Sequence, residues 1–103
     1  MSTKPPALSA DEAKRKILFI LERGIVEPTW HCKEETMPRR GVEMTDLLHV
    51  LKTGVIVRDP EWDDDHDNWK YRVEGKDIDG DDLTAITVII DAELTLLIVT
   101  VFG

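Results

Sequence analysis

The first quarter of the chain carries apolar residues at the spacing of an amphipathic helix. Ser9 and Glu12 form the S-x-x-E pattern of a capping box, in which the serine hydroxyl accepts a hydrogen bond from a free N–H at the helix start. Four apolar residues then recur on one helical stripe: Ile17, Leu18, Ile20 and Leu21. We therefore expect a helix that begins after Ser9 and ends at Gly24 in a left-handed conformation.

Two further helices are expected before the middle of the chain. Residues 25–29 form an extended piece ending near Pro28, because the residue before a proline avoids the helical region. A short helix over about residues 30–37 should stop near Pro38. A third helix is expected over residues 43–54, the last of which is a closing glycine. Its apolar stripe consists of Leu47, Leu48, Val50 and Leu51.

From residue 55 the apolar period changes to that of a β-sheet. Four segments fit strands: residues 55–58, 69–73, 83–90 and 94–102. Residues 59–68 are expected to form a loop. Trp69, Tyr71 and Val73 alternate with charged residues, whereas the last two strands are apolar on both faces, which is typical of strands covered on two sides. We expect an α+β fold in which N-terminal helices pack on a four-stranded antiparallel meander.

The length of the chain suits one modest core. With 103 residues we expect a single domain over residues 9–103, preceded by a disordered lead-in over residues 1–8. No segment approaches the roughly 18 consecutive apolar residues of a membrane span, and the N-terminus lacks the apolar core of a secretory signal. A lone cysteine, Cys32, agrees with a reducing compartment. These features predict a cytoplasmic protein with no membrane partner.

Charge is divided unequally between the two halves of the chain. Residues 1–58 hold 10 Lys or Arg against 8 Asp or Glu, whereas residues 59–103 hold 3 against 13. A strongly acidic chain is repelled by polyphosphate, so unassisted binding to bulk nucleic acid is not expected. If the protein binds RNA, the N-terminal half must make the contacts.

Two acidic segments raise the question of a metal site. Residues 59–67, DPEWDDDHD, lack the glycine-centred spacing of a calcium loop, and the DIDGDD turn at 77–82 has no bidentate glutamate at its far end. Cys32 and His31 lack two further nearby ligands for zinc. The sequence also has no nucleotide-binding glycine loop. We expect solvated loops, no metal and no cofactor, with a structural cation in the first loop as the alternative.

Trp62 lies within the first acidic loop and has two interpretations. Among aspartates it is poorly placed to stack on RNA, but it suits a protein partner with a basic, apolar groove. Alternatively, Trp62 folds back over the sheet. The sequence favours neither interpretation.

Several residues from residue 29 onward recur in an order that resembles a known family. They are His31, Met37, Arg40-Gly41, Asp46, Leu51, Gly54, the Tyr-x-Val-x-Gly segment at 71–75 and the Ile-Val-Thr-Val segment at 98–101. Over residues 29–102 this arrangement resembles the uncharacterised family named domain of unknown function 4258. That family is similar to the RelE-like toxin ribonucleases of toxin–antitoxin systems, and the helix at 10–23 resembles the extra helix of MqsR-type toxins. The resemblance implies a RelE-like architecture and metal-independent RNA cleavage.

Such cleavage needs a base, an acid and a cation, and the resemblance points to five residues. His31 would be the base or the acid, because histidine exchanges protons near neutral pH. Arg39 or Arg40 would stabilise charge on the phosphorane with its planar guanidinium. Tyr71 or Thr100 would orient the substrate or donate a proton.

Each of these residues also has a structural interpretation. His31 could cap a short helix or fill a pocket, and Arg40 could pair with Glu34, Glu35 or Glu43. The alternation of its strand favours a place for Tyr71 in the core. Thr100 lies in a strong strand pattern, where a β-branched side chain usually packs.

A second class of function therefore stays open beside the ribonuclease. The acidic C-terminal half could serve a non-catalytic regulatory or immunity-type module that engages a basic or antitoxin-like protein. Self-association as a homodimer is a further alternative, since the two-sided apolar strands need cover that three helices do not fully supply.

Overall fold

A computed structural model of the chain describes residues 4–103 and shows an α+β architecture. Its helices are α1 (Ala10–Arg23), α2 (Met37–Arg40) and α3 (Met44–Thr53), with a π-helical turn at Cys32–Thr36 and a 3₁₀ turn at Asp91–Glu93. Its strands are β1 (Ile25–Pro28), β2 (Glu61–Asp63), β3 (Asn68–Lys76), β4 (Asp82–Ile90) and β5 (Thr95–Phe102).

The sheet has five strands and is mixed, which corrects the expected four-stranded antiparallel meander. Its order is β1-β5-β4-β3-β2, with β1 parallel to β5 and the other pairs antiparallel. The expected strand at 55–58 is reduced to one bridge between Val55 and Glu74. The edge strand β2 lies instead inside the expected loop 59–68. The extended piece expected over residues 25–29 is β1, but its parallel pairing with β5 was not expected, because the two strands are distant in sequence and no local pattern indicates such a pairing.

All three helices pack against the same face of the sheet and form one buried cluster with it. We call this face the covered face. From the helices the cluster takes Ala13, Ile17, Ile20, Met37, Leu47, Val50 and Leu51, and from the sheet Tyr71, Val73, Leu83, Ala85, Ile89, Leu96, Ile98 and Val101. Leu18 and Leu48, which the sequence pattern placed on the buried stripes, are each 40% exposed.

The ends of α1 and α3 are stabilised by specific hydrogen bonds. The capping box of α1 forms as expected, because the Ser9 hydroxyl accepts from the Glu12 N–H and the Glu12 carboxylate accepts from the Ser9 N–H. At the C-terminal end of α3, the Lys14 ammonium donates to the carbonyls of Leu51, Lys52 and Gly54 at 2.8, 3.0 and 2.5 Å. Lys14 therefore ties α1 to the C-terminus of α3.

Gly24 and Gly54 both end their helices in extended backbone, although Gly24 was expected to be left-handed. Close backbone contacts explain these glycines instead. A Cβ at Gly24 would lie 2.1 Å from the Leu94 carbonyl oxygen, and one at Gly54 would lie 2.8 Å from the Glu74 carbonyl oxygen. The left-handed helix end is found at Gly41, which follows α2 with φ of 72°.

The helical path that starts at Trp30 continues through Pro38 to Arg40, although it was expected to stop near Pro38. The π-helical turn explains why it continues. Its wider register pairs the Met37 N–H with the Cys32 carbonyl, five residues earlier, just before the proline that has no N–H to donate. Pro38 then occupies the first turn of α2, where a missing N–H is tolerated.

A β-bulge in β5 determines which of its side chains reach each face of the sheet. Thr87 pairs with Ile98 but Ile86 pairs with Thr100, so Val99 is the extra residue. Ile98 and Val101 lie in the core, whereas Val99 and Thr100 line a hollow on the opposite face. Without the bulge, Thr100 would share the covered face with Ile98.

Residues 4–8 lie against the β2–β3 edge of the sheet. The Trp69 indole N–H donates to the Pro5 carbonyl at 2.7 Å, and the Leu8 N–H donates to the Tyr71 hydroxyl at 2.9 Å. Trp62 pairs edge-to-face with Trp69, which supports the interpretation in which Trp62 folds back on the sheet. The disordered lead-in over residues 1–8 stays a prediction, and its residues 1–3 lie outside the described part.

Across residues 4–103, no helix combines the length and apolar character needed to cross a membrane.

Candidate functional site

Four of the five candidate residues lie around one cleft beside the end of β5. The cleft has a volume of about 420 Å³, and we call it the His31 cleft. Its lining comprises His31, Thr36, Arg39, Arg40, Thr100, Val101, Phe102 and Gly103. The helical path from Trp30 to Arg40 forms one wall, and the end of β5 forms the other. The fold therefore gathers residues that lie about 60 positions apart in the sequence.

His31 forms a histidine–carboxylate pair within its own helical turn. Its Nδ1 lies 2.8 Å from Oε2 of Glu35, and both side chains are about half exposed. An ionised carboxylate only accepts hydrogen bonds, so in the neutral imidazole the proton must sit on Nδ1. Nε2 then carries the free lone pair. A neighbouring carboxylate that fixes the tautomer in this way prepares a histidine to accept a proton.

Arg40 is anchored to the β3–β4 hairpin. Its Nη2 lies 3.3 Å from Oδ2 of Asp77 and donates to the Asp82 carbonyl at 2.6 Å. The glutamates proposed from the sequence as its structural partners are not the residues it contacts. Arg40 therefore joins α2 to the hairpin and holds the wall of the cleft in position.

Arg39 is the exposed cation of the cleft. Within residues 4–103 its guanidinium takes part in no ion pair or side-chain hydrogen bond, in contrast to its neighbour Arg40. A guanidinium with free donors can bind a phosphate oxygen in two-pronged geometry. Of the two arginines, Arg39 is thus the one available to a ligand.

Two threonines line the cleft, and only one was expected. Thr100 reaches it because the β5 bulge turns this side chain away from the covered face. Thr36, which sequence reasoning missed, is buried, and its hydroxyl accepts from the Val101 N–H at 3.2 Å. This bond ties the π-helical turn to β5. No sequence pattern could have indicated Thr36, because its partner Val101 lies 65 residues later in the chain.

Tyr71 is not brought to the His31 cleft. It is 4% exposed and belongs to the core cluster, and its hydroxyl accepts from the Leu8 N–H. Burial raises the pKa of its phenol, and the Glu12 carboxylate adds to the rise while the Leu8 hydrogen bond opposes it. This buried environment agrees with the interpretation of Tyr71 as a core residue.

A second hollow of about 170 Å³ opens on the face of the sheet opposite the helices, and we call it the sheet-face hollow. It is lined by Arg58, Asp59, Glu61, Lys70, Arg72, Ile86, Val99 and Thr100. Thr100 borders both this hollow and the His31 cleft. The three cations here were not proposed from the sequence, because they come from a loop and a strand whose approach depends on the fold.

The two cavities together form a neutral region on an acidic protein. Five cations line them: Arg39, Arg40, Arg58, Lys70 and Arg72. The carboxylates that line them or pair with their side chains are also five: Glu35, Asp59, Glu61, Glu74 and Asp77. The rest of the chain keeps eight basic against sixteen acidic residues, so the whole formal net charge of −8 lies elsewhere. The lining of these two cavities therefore adds no net repulsion of an anion.

The other chemical candidates form no site in the described chain. Within residues 4–103, no three side chains of the metal-binding types converge. In the first acidic loop, Asp63 instead accepts from the Asp65 N–H and pairs with His66, and in the second Asp77 accepts from the Asp81 N–H. Cys32 is buried, and burial raises the pKa of its thiol.

These features define a small α+β domain with a histidine–carboxylate pair in an open cleft. Residues 29–103 match the family model described as Domain of unknown function (DUF4258), so the chain belongs to that family. No curated protein and no solved structure gives a significant match to the chain. The similarity to RelE-like toxins stays a prediction.

Proposed function

We propose that this protein is a metal-independent ribonuclease whose active site is the His31 cleft. The observation that carries the proposal is the His31–Glu35 pair, which leaves Nε2 of His31 free to accept a proton. His31 lines the same cleft as Arg39, whose guanidinium has no side-chain partner within residues 4–103. A base and a free guanidinium in one cleft are the two groups that attack of a ribose hydroxyl on its own phosphodiester needs most.

In the proposed reaction, His31 takes the proton of the ribose 2′-hydroxyl while O2′ attacks the adjacent phosphorus. The P–O5′ bond breaks, giving a 2′,3′-cyclic phosphate and a 5′-hydroxyl, and solvent supplies the proton to the leaving oxygen. Arg39 stabilises the charge that develops on the phosphorane oxygens. Arg40 is a positioning residue, Thr100 orients the phosphate, and Tyr71 takes no part.

The charge distribution supports access of RNA to this cleft despite the acidic chain. The sequence placed any RNA contact in the N-terminal half, where His31, Arg39 and Arg40 are found. The fold adds Lys70 and Arg72 from the C-terminal half to the adjoining hollow. RNA would therefore bind across both halves of the chain.

The test is cleavage of a 5′-labelled, mixed-sequence RNA by the purified protein in the presence of EDTA. Wild type should produce fragments that end in 2′,3′-cyclic phosphate, which mass spectrometry identifies. His31→Gln should lower the rate by about 100-fold or more, since it removes the base. His49→Gln is the matched control, because His49 lies on α3 outside both cavities.

Equal cleavage by wild type and His31→Gln would overturn the proposal, as would no cleavage by the folded wild type. The second outcome would favour the non-catalytic interaction module and a basic or antitoxin-like protein partner. A toxin role in a toxin–antitoxin pair and a RelE-type architecture are further parts of our proposal. For the toxin role, induced expression should arrest growth with wild type and not with His31→Gln.

A further inference from the structure

We propose that Phe102, backed by Arg72, is a stacking platform for one base of single-stranded RNA next to the His31 cleft. This inference rests on the proposed function and deepens it, because it names the form of RNA that the site accepts. It also assigns a function to the face of the sheet opposite the covered face, which we call the open face and of which the proposed cleavage chemistry uses only Thr100.

The position of the pair between the two cavities is the first argument. Phe102 lines the His31 cleft and Arg72 lines the sheet-face hollow. The guanidinium carbon of Arg72 lies 4.9 Å from the centroid of the Phe102 ring. The two side chains therefore form the boundary between the cavities, and Thr100, which borders both, lies beside them.

Strand register explains how these residues come together. Arg72, Ile86 and Thr100 form one cross-strand row on the open face, through the pairs Arg72–Ile86 and Ile86–Thr100. The next row ends at Phe102, opposite Thr84. Arg72 reaches diagonally across β4 to the ring. The bulge at Val99 is required, because it sets Thr100 and Phe102 on this face.

Exposure of the aromatic ring is the second argument. Phe102 is the last residue of β5 and is 40% exposed, although the other face of the sheet is packed with apolar side chains. An exposed aromatic ring with a guanidinium behind it offers a flat surface to an unpaired base, as in proteins that bind single strands. A base within a duplex cannot reach such a surface, because both of its faces are already stacked.

The cations of the sheet-face hollow complete the site. Arg58 and Arg72 share the Glu74 carboxylate, each with its Nε at 3.6 Å from Oε2. Nε of Arg72 is buried beside the Glu74 carboxylate, and within residues 4–103 the terminal nitrogens of Arg72 form no hydrogen bond, so these terminal nitrogens are the donors available to a phosphate. With Lys70 they can hold the phosphate of the nucleotide that follows the stacked base. The path then runs from His31 past Phe102 to Lys70.

The experiment separates base stacking from attraction to phosphate. Two fluorescent probes are compared by anisotropy in the His31→Gln background, which prevents cleavage: a ten-nucleotide oligoadenylate and an abasic oligomer with the same number of phosphates. The oligoadenylate should bind at least about 10-fold more tightly, and Phe102→Leu should remove most of that difference. Phe102→Trp should retain it, which excludes a merely structural effect.

Phe19→Leu is the matched control, because Phe19 is half exposed on α1 outside both cavities, and it should bind as the parent does. Arg72→Lys should weaken binding to the oligoadenylate more than to the abasic oligomer, since lysine keeps the charge but not the planar contact. Lys70→Gln should weaken both probes equally and lower the salt dependence by about one phosphate contact.

Equal affinity for the two probes, or unchanged oligoadenylate binding by Phe102→Leu, would overturn the inference. If wild type still cleaves RNA in that case, the proposed function stands and the stacking platform alone fails. If neither probe binds and no RNA is cleaved, both proposals fail together.

Discussion

The two faces of the sheet belong to the same strands but differ in which side chains they carry and in what packs against them. The covered face packs Val73, Leu83 and Leu96 against three helices, and these side chains are completely buried. The open face carries Lys70, Arg72 and Thr100 around a hollow. The covered face therefore carries the packing between sheet and helices, whereas the open face combines a buried residue, Val88, with a hollow lined by charged side chains.

The largest expected effect comes from comparing an apolar helix residue in the cluster packed on the covered face with an apolar residue of the open face. Leu51 on α3 is fully buried, so Leu51→Ala should lower the free energy of unfolding by about 2–5 kcal/mol through lost burial and a cavity. Ile86 is half-buried on the open face, and Ile86→Ala should cost less than about 2 kcal/mol, because part of its surface already meets water. Urea denaturation measures both. Equal losses would mean that something covers the open face in solution.

A smaller difference in stability is expected between variants of two lysines, one from each side of the sheet. Lys14→Met removes three hydrogen bonds to carbonyls at the end of α3 and should cost about 1–3 kcal/mol of unfolding free energy. Lys70→Met, in the sheet-face hollow, should change stability by no more than about 0.5 kcal/mol. Thermal denaturation near neutral pH measures both. A stable Lys14→Met protein would show that the α1–α3 contact does not need this lysine.

The smallest effect concerns Asp46, which belongs to the helix side of the molecule. Its carboxylate accepts from the Glu43 N–H and the Ile78 N–H, and these hydrogen bonds hold its pKa below the ordinary value. A carboxyl whose pKa is lower in the folded state adds stability above its unfolded pKa of about 3.9, and that stability is lost as pH falls through the folded value.

Asp46→Asn should therefore be less stable than wild type near pH 6, and the difference should shrink as pH falls below about 4. Asp79→Asn is the control, because within residues 4–103 the exposed Asp79 carboxylate takes part in no hydrogen bond or ion pair. Urea denaturation from pH 2.5 to 6 measures the difference. A gap between Asp46→Asn and wild type that stays constant with pH would show that the carboxylate charge is not the cause.

Local patterns were sufficient for much of the architecture. The Ser9–Glu12 box and the apolar stripe placed α1, and β3, β4 and β5 lie close to their expected segments. Pairing between segments that are distant in the chain could not be predicted from the sequence. The parallel contact of β1 with β5 joins Ile25 to Thr95, and neither neighbourhood contains a signal for the other. Such contacts depend on the free energy of the whole fold.

Some features of the candidate site could likewise be predicted from the sequence, and others could not. Sequence resemblance selected His31, Arg39, Arg40 and Thr100, and the fold brings these four to one cleft. It also selected Tyr71, whose alternating strand already indicated burial, and the structure places this residue in the core. Glu35 was named only as a partner for Arg40. Its pairing with His31 follows from helical spacing and is the contact on which the proposed chemistry depends.

The sequence by itself determined the class of fold, the acidic character of the C-terminal half and the segment that contains His31. Helical and strand periods are local properties, and so is the count of charges. Only the tertiary structure decided that β5 is bulged at Val99, that Arg72 stacks on Phe102, and that the two cavities share Thr100. A one-residue shift in strand register moves side chains between faces, and register is decided by packing across the whole sheet.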